Sequence, residues 1–188
     1  ENGISGIVPC GTTGESPTLD NEEHERVIEL TVQHVNKRVP VIAGTGSNCT
    51  KEAIRLSKHA EEIGVDALLL VNPYYNKPTQ EGLYRHFKAI ANSVTIPCVV
   101  YNIKGRTGVN VETETLMRLI KDCKNVIAVK EASGDLNQMK EVIAQRPEGF
   151  SVLSGDDNIT LDLIRAGGQG VISVASNIAP DKMSAMVK

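Results

Sequence analysis

Seven short apolar runs recur along the chain, at residues 4–8, 39–43, 67–71, 98–101, 126–129, 150–153 and 170–174. Runs of this length, rich in Val, Ile and Leu, read as strands buried on both faces. Between most of them the apolar period changes. Leu83, Phe87, Ile90 and Ala91 fall at i, i+4, i+7 and i+8, and Leu116, Leu119, Ile120 and Cys123 at i, i+3, i+4 and i+7. Leu136, Met139 and Ile143 mark a further face of this kind. Such spacing predicts amphipathic helices. The punctuation agrees: Asp20 with Glu23 forms a capping-box pattern, Thr79 and Thr113 suit N-caps, and Gly64 suits the residue after a helix end.

Strands alternating with helices predict an α/β protein with a parallel sheet and right-handed crossovers. An open doubly wound sheet and a (β/α)8 barrel short of one strand both satisfy the pattern. Gly44 and Gly46 begin a dinucleotide fingerprint, but Cys49 stands where its third glycine belongs. No Gly-Lys-Ser/Thr phosphate loop and no Gly-x-Ser-x-Gly elbow occur either. The expectation is therefore a (β/α)8 TIM barrel, truncated, with strands 2–8 present and the first strand absent. Residues 1–188 form one domain, incomplete at both ends. The chain opens on Glu1-Asn2-Gly3 and stops within the helical-looking stretch 181–188, so both ends read as cut from something longer.

Composition narrows the function classes. With 188 residues and a net charge of −3, the chain has no basic run to attract nucleic acid or an anionic membrane surface. No apolar run approaches the ~18 residues of a membrane span. The four cysteines, Cys10, Cys49, Cys98 and Cys123, contain no Cys-x-x-Cys pair and read as buried free thiols of a cytoplasmic protein. His24, His34, His59 and His86 show no ligand spacing, so neither a metal site nor a cofactor is expected.

The candidate chemistry lies just after the strands. Lys130 follows the run 126–129 directly, at the end of a parallel strand where α/β folds place their sites. A buried amine there can lose its proton and attack a carbonyl. Burial and the Arg106 cation would both lower its pKa, while Glu131 would oppose this only from the same face, and strand alternation puts it on the other. Gly11-Thr12-Thr13-Gly14 offers hydroxyls and backbone N–H groups suited to a small carboxylate. Tyr74 and Tyr75 sit in a Pro-bounded loop, either as interface anchors or as proton carriers. Tyr101 places a phenol at the rim, and Arg106 can grip a carboxylate with its planar fork. Gly155 permits close approach of backbone to a ligand. Asp156 and Asp157 read as a helix cap before they read as an acid/base pair.

The stretches Gly11–Ser16 (GTTGES), Val41–Gly46 (VIAGTG), Pro73–Pro78 (PYYNKP), Gln80–Ile90, Tyr101–Gly108, Val129–Ala132 (VKEA), Ser154–Asp157 (SGDD) and Gly170–Val174 (GVISV) are spread along nearly the whole chain. In them the chain resembles the dihydrodipicolinate synthase family, within the class I pyruvate-dependent aldolases that include N-acetylneuraminate lyase. The resemblance implies a lyase of lysine (diaminopimelate) biosynthesis that condenses pyruvate with L-aspartate-4-semialdehyde to give 4-hydroxy-tetrahydrodipicolinate. It implies Lys130 as Schiff-base residue, with Tyr101, Thr12 and Tyr75 as a proton relay and Tyr75 donated across a subunit interface. Thr13 would hold the pyruvate carboxylate, Arg106 would clamp the second substrate, and the carbonyls of Gly155 and Ile172 would face the amine. An L-lysine inhibitor site would use Ser16, His24, Asn48, Glu52 and Tyr74. Asn21 stands where some inhibited members carry a second His. The implied assembly is a homo-oligomer, a dimer or tetramer. The alternative is a sibling aldolase of N-acetylneuraminate or a ketodeoxy sugar acid, against which the Arg106-Thr107-Gly108 clamp argues. One departure stands out: Lys104 replaces the family's usual Pro, which frees φ and predicts a looser loop around Arg106.

Overall fold

The computed structural model describes residues 2–188. Six strands form one sheet, each paired in parallel with the next in chain order. They are β1 (Ile42–Gly44), β2 (Ala67–Val71), β3 (Cys98–Asn102), β4 (Val126–Glu131), β5 (Ser151–Ser154) and β6 (Gly170–Val171). A doubly wound sheet reverses its strand order at a switch point, whereas a barrel wall runs on without reversal. The order here is that of a truncated (β/α)8 wall. Its helices are α1 (Asn21–Val35), α2 (Thr50–Ile63), α3 (Gln80–Ala91), α4 (Lys104–Thr107), α5 (Thr113–Asp122), α6 (Leu136–Gln145), α7 (Thr160–Arg165) and α8 (Pro180–Val187).

The strand expected at 4–8 is reduced to one bridge, Ile7 with Val41. Pro9 and Pro40 bring no N–H to a ladder, and Cys10, at φ 52°, turns the chain out of the extended region. The last strand is also shorter than its apolar run, because Val174 has already turned helical, at φ −88° and ψ −44°. The capping box at the start of α1 forms, with Glu23 N–H donating to Asp20 Oδ1 at 2.9 Å and Asp20 N–H to Glu23 Oε2 at 3.0 Å. Thr79 caps α3, and Gly64 ends α2 at φ 92°. Thr113 is not a cap. It is the first helical residue of α5 and donates its hydroxyl to Glu141 at 2.7 Å. Cys10, Cys98 and Cys123 are buried free thiols, but Cys49 is exposed, since it lies outside any strand at the entry to α2.

Strand alternation divides the core into two layers. Leu68, Leu70, Val100 and Val129 face the helices and pack against Phe87, Ile90, Leu116 and Met139. Leu69, Val99, Tyr101 and Ala128 face the barrel interior. Full burial of each such Leu, Val or Phe contributes about 1.5–3 kcal/mol. The same alternation sends consecutive residues to opposite layers: Lys130 goes inward with Ala128 and Ala132, and Glu131 outward.

Candidate functional site

Lys130 pairs in register with Tyr101 on β3 and with Leu153 on β5. It is 7% exposed, and its Nζ lies 4.0 Å from the centroid of the Tyr101 ring. Gly155 makes room for it: a Cβ there would meet Ala132 Cβ at 2.7 Å and Lys130 Cε at 3.1 Å. Ile172 N–H donates to the Ser154 carbonyl at 2.9 Å, carrying the pairing one residue beyond β6. Burial lowers the Lys130 pKa from 10.5 to about 8, while Asp156 and Asp157 work against it. Arg106 is not among the groups acting on the amine, contrary to the sequence expectation; its cation is felt instead at Tyr101. Glu131 does not oppose the shift either, since it faces the helix layer.

The Tyr101 phenol is raised above its ordinary pKa, first by burial and also by Asp156, while Thr12 and Arg106 pull it down. Thr12 acts on the phenol as a hydrogen-bonding partner. It sits on a 3-10 turn, Thr12–Gly14, closed by Gly14 N–H donating to the Gly11 carbonyl at 3.0 Å. Cys10 and Glu15, at φ 52° and 53°, reverse the chain on either side, so the turn folds back over the strand ends. Thr13 is exposed on the same turn.

The segment bearing Arg106, where Lys104 stands in place of Pro, is a short helix. Lys104 opens α4, a position whose N–H has no intrahelical partner in any case. Thr107 N–H and Oγ1 both donate to the Ile103 carbonyl, at 3.0 and 2.8 Å, and Gly108 closes the turn at φ 74°. Asp157 does not cap the helix that follows it. Its Oδ2 accepts from Val174 and Ala175 N–H at 3.1 and 2.9 Å, holding the turn after β6.

Thr12, Tyr101 and Arg106 share a cavity of about 350 Å³ with Ser16, Asn21, His24, Glu52 and Tyr74. Part of the candidate reaction rim and most of the candidate inhibitor site therefore line one space. Lys130, Thr13, Tyr75, Asn48, Gly155 and Ile172 are not among its lining residues. In the cavity lining, the Glu52 carboxylate accepts from the Ser47 hydroxyl. His24 Nε2 lies 2.9 Å from the Gly44 carbonyl, its Nδ1 is buried without a partner, and burial lowers its pKa. Asn48 offers its carbonyl to Asn76 at 3.3 Å. Tyr75 stands apart from the whole cluster, 90% exposed and at φ 72°.

Sequence reasoning missed the polar layer behind the rim. Asn72, Asn102 and Glu131 follow Val71, Tyr101 and Lys130 and are all but fully buried. Asn102 Nδ2 donates to Glu131 Oε1 at 3.0 Å and to Asn110 Oδ1 at 2.9 Å, and its Oδ1 accepts from Asn72 at 2.9 Å and from Val111 N–H at 3.0 Å. The available signal was positional: three polar residues, each one step past an inward-facing strand residue. Among the described residues no group of three or more His, Cys, Asp or Glu is placed to hold a metal, and no helix is long and apolar enough to cross a membrane.

The model of the dihydrodipicolinate synthetase family matches residues 1–188. The chain is 63% identical over 187 residues to the 4-hydroxy-tetrahydrodipicolinate synthase of Syntrophus aciditrophicus, covering 100% of this chain and 64% of that relative. It superposes with a TM-score of 0.98 on the crystal structure of dihydrodipicolinate synthase from Aquifex aeolicus, at 49% identity over 99% of this chain and 64% of that one. DHDPS from Cyanidioschyzon merolae, with lysine bound, gives a TM-score of 0.96 at 44% identity over 99% of this chain and 63% of that one. The chain thus spans about 64% of the length of the curated relative it matches.

Proposed function

This chain belongs to the dihydrodipicolinate synthetase family, and from that membership we propose that it joins pyruvate to L-aspartate-4-semialdehyde through a Schiff base on Lys130. The product is 4-hydroxy-tetrahydrodipicolinate, made in the cytoplasm on the route to diaminopimelate and lysine. The neutral Lys130 amine attacks the C2 carbonyl of pyruvate, and loss of water leaves an imine. Removal of a proton from C3 gives an enamine, whose C3 attacks the aldehyde carbon. The new alkoxide takes a proton from Tyr101, which Thr12 and the partner copy's tyrosine replenish. The amine of the second substrate then displaces Lys130 at C2, closing the ring and freeing the enzyme.

Within this reading Thr13 holds the pyruvate carboxylate, Arg106 clamps the carboxylate of the semialdehyde, and the Gly155 and Ile172 carbonyls face the reacting nitrogen. Tyr75 serves the site of a second copy in a homodimer or tetramer. Its support is an aromatic side chain left 90% exposed on a backbone held at φ 72°. L-lysine binds beside Glu52, with Ser16, His24, Asn48 and Tyr74 around it. A relative with lysine bound supports this. The observation that carries the proposal is the lysine itself: buried, lowered to about 8, its nitrogen 4.0 Å from the Tyr101 ring centroid. Borohydride added with pyruvate should leave a reduced pyruvyl group on Lys130, seen by peptide mass. No adduct, or an adduct on another lysine, refutes the assignment. Turnover of N-acetylneuraminate with none of the semialdehyde would move the chain to the sibling activity.

A further inference from the structure

We propose that Glu131 is a positioning residue for the Schiff-base lysine: through Asn102 it ties β4 to β3 at the rung where Lys130 meets Tyr101. The inference rests on the reading of Lys130 as nucleophile. Glu131 is 1% exposed, and no cation is among the groups that act on it. A buried carboxylate without a counter-charge is unfavourable, and an apolar residue of similar volume would commonly be as stable or more so. Its position therefore asks for a reason other than stability. That reason is in the contacts. Its Oε1 accepts from Asn102 at 3.0 Å and its Oε2 from the Ser133 hydroxyl at 2.7 Å. Its backbone carbonyl accepts from Gly155 N–H at 2.7 Å, and Ala132 N–H donates to the Asn102 carbonyl at 2.8 Å.

Each wall around the amine is thereby fastened to one residue. Gly155, which shapes the slot for the lysine stem, hangs from the Glu131 main chain. Tyr101, which lies beneath the nitrogen, precedes the Asn102 gripped by the Glu131 side chain. Asn102 extends the grip to Asn72 and to Val111, just past the turn bearing Arg106. Glu131 touches no substrate. It fixes the separation of two strand ends from behind, and displacements of about 1 Å at a reacting group can cost on the order of 100-fold in rate.

The test is the rate of pyruvate trapping by borohydride at Lys130 in the full-length protein. Glu131→Met keeps the volume and removes both acceptors. It should slow adduct formation by about 10- to 100-fold, with a change of less than about 3-fold in half-saturating pyruvate. The pH midpoint of trapping should climb from about 8 towards 10.5 as the slot loosens and water reaches the amine. Glu131→Gln should bring the rate back to within about 3-fold, because its amide can accept from Asn102 and donate to Ser133. A folded Glu131→Met protein that traps pyruvate at the unsubstituted rate overturns the proposal. Should that variant fail to fold by near-UV circular dichroism, Ser133→Ala frees one carboxylate oxygen at a turn and decides instead. Slower trapping supports the proposal, and an unchanged rate overturns it. Absence of any adduct in the unsubstituted protein overturns the proposed function, and this inference with it.

Discussion

Replacing Lys130 with methionine should stabilise the fold while abolishing the pyruvate adduct. The lysine is buried, and its pKa falls from 10.5 to about 8 on folding, so the folded state binds the proton more weakly than the unfolded chain does. For a cation this is a penalty. It is fully present below pH 8, where both states are charged, and relieved as pH rises past 10.5, above which both are neutral. The two values imply a cost of about 3 kcal/mol at pH 7, shrinking to a few tenths by pH 10.5. Methionine retains the stem and removes the charge, which makes about 3 kcal/mol an upper bound on the gain at pH 7; Asp156 and Asp157 lose a partner and reduce it. Urea unfolding of both proteins at pH 7 and at pH 10 measures the difference, and subtraction cancels other titrating groups. A variant less stable than its parent at pH 7, or a difference independent of pH, refutes the claim that desolvation tunes this amine. The same shift has a kinetic face: at pH 7 about a tenth of the amine is neutral, against roughly 0.03% for an unperturbed lysine.

Three further substitutions separate the parts of the site. Arg106→Ala should leave pyruvate trapping unchanged and raise KM for the semialdehyde by about 10-fold or more, consistent with loss of a charge-assisted fork; slowed trapping would place Arg106 in the first half-reaction instead. Tyr101→Phe preserves the ring beneath Lys130 and removes the proton, so trapping should persist while kcat falls by about 10²- to 10⁴-fold; an unchanged kcat would remove the phenol from the relay. Gly155→Ala forces a methyl to within 2.7 Å of Ala132 Cβ and 3.1 Å of Lys130 Cε, and should cost about 1–3 kcal/mol of stability by overpacking along with most of the trapping rate. Full activity would mean that the lysine stem has more freedom than its contacts suggest.

The barrel wall was legible because apolar runs and helical periods are written along the chain, and missing nucleotide motifs decided between two parallel-sheet designs. The ends of strands were less legible. Residues 4–8 look as strand-like as residues 67–71, but an apolar pattern does not register that Pro9 and Pro40 withhold donors or that Cys10 turns left-handed. The rim residues were named by type, and the structure brings Lys130, Tyr101, Thr12 and Arg106 to one end of the sheet. Which charge acts on which group was not readable. Arg106 was assigned to the amine and acts on the phenol, while Asp156 and Asp157, assigned to a helix, act on the amine.

The dipeptides Tyr101-Asn102 and Lys130-Glu131 show why a motif carries more than its reactive member. In a strand, adjacent side chains leave by opposite faces. The inward residue of each pair enters a layer where burial lowers the pKa of an amine and raises that of a phenol. The outward residue enters the buried helix-facing layer, where an amide and a carboxylate persist by bonding each other and further polar groups. Two strands that place such pairs on the same rung acquire an apolar slot on one side and a polar clamp on the other. The slot supplies the reactivity and the clamp the alignment. Sequence chemistry reveals the first readily, since lysine and tyrosine are recognised reagents, but the second emerges only once the register between β3 and β4 is known.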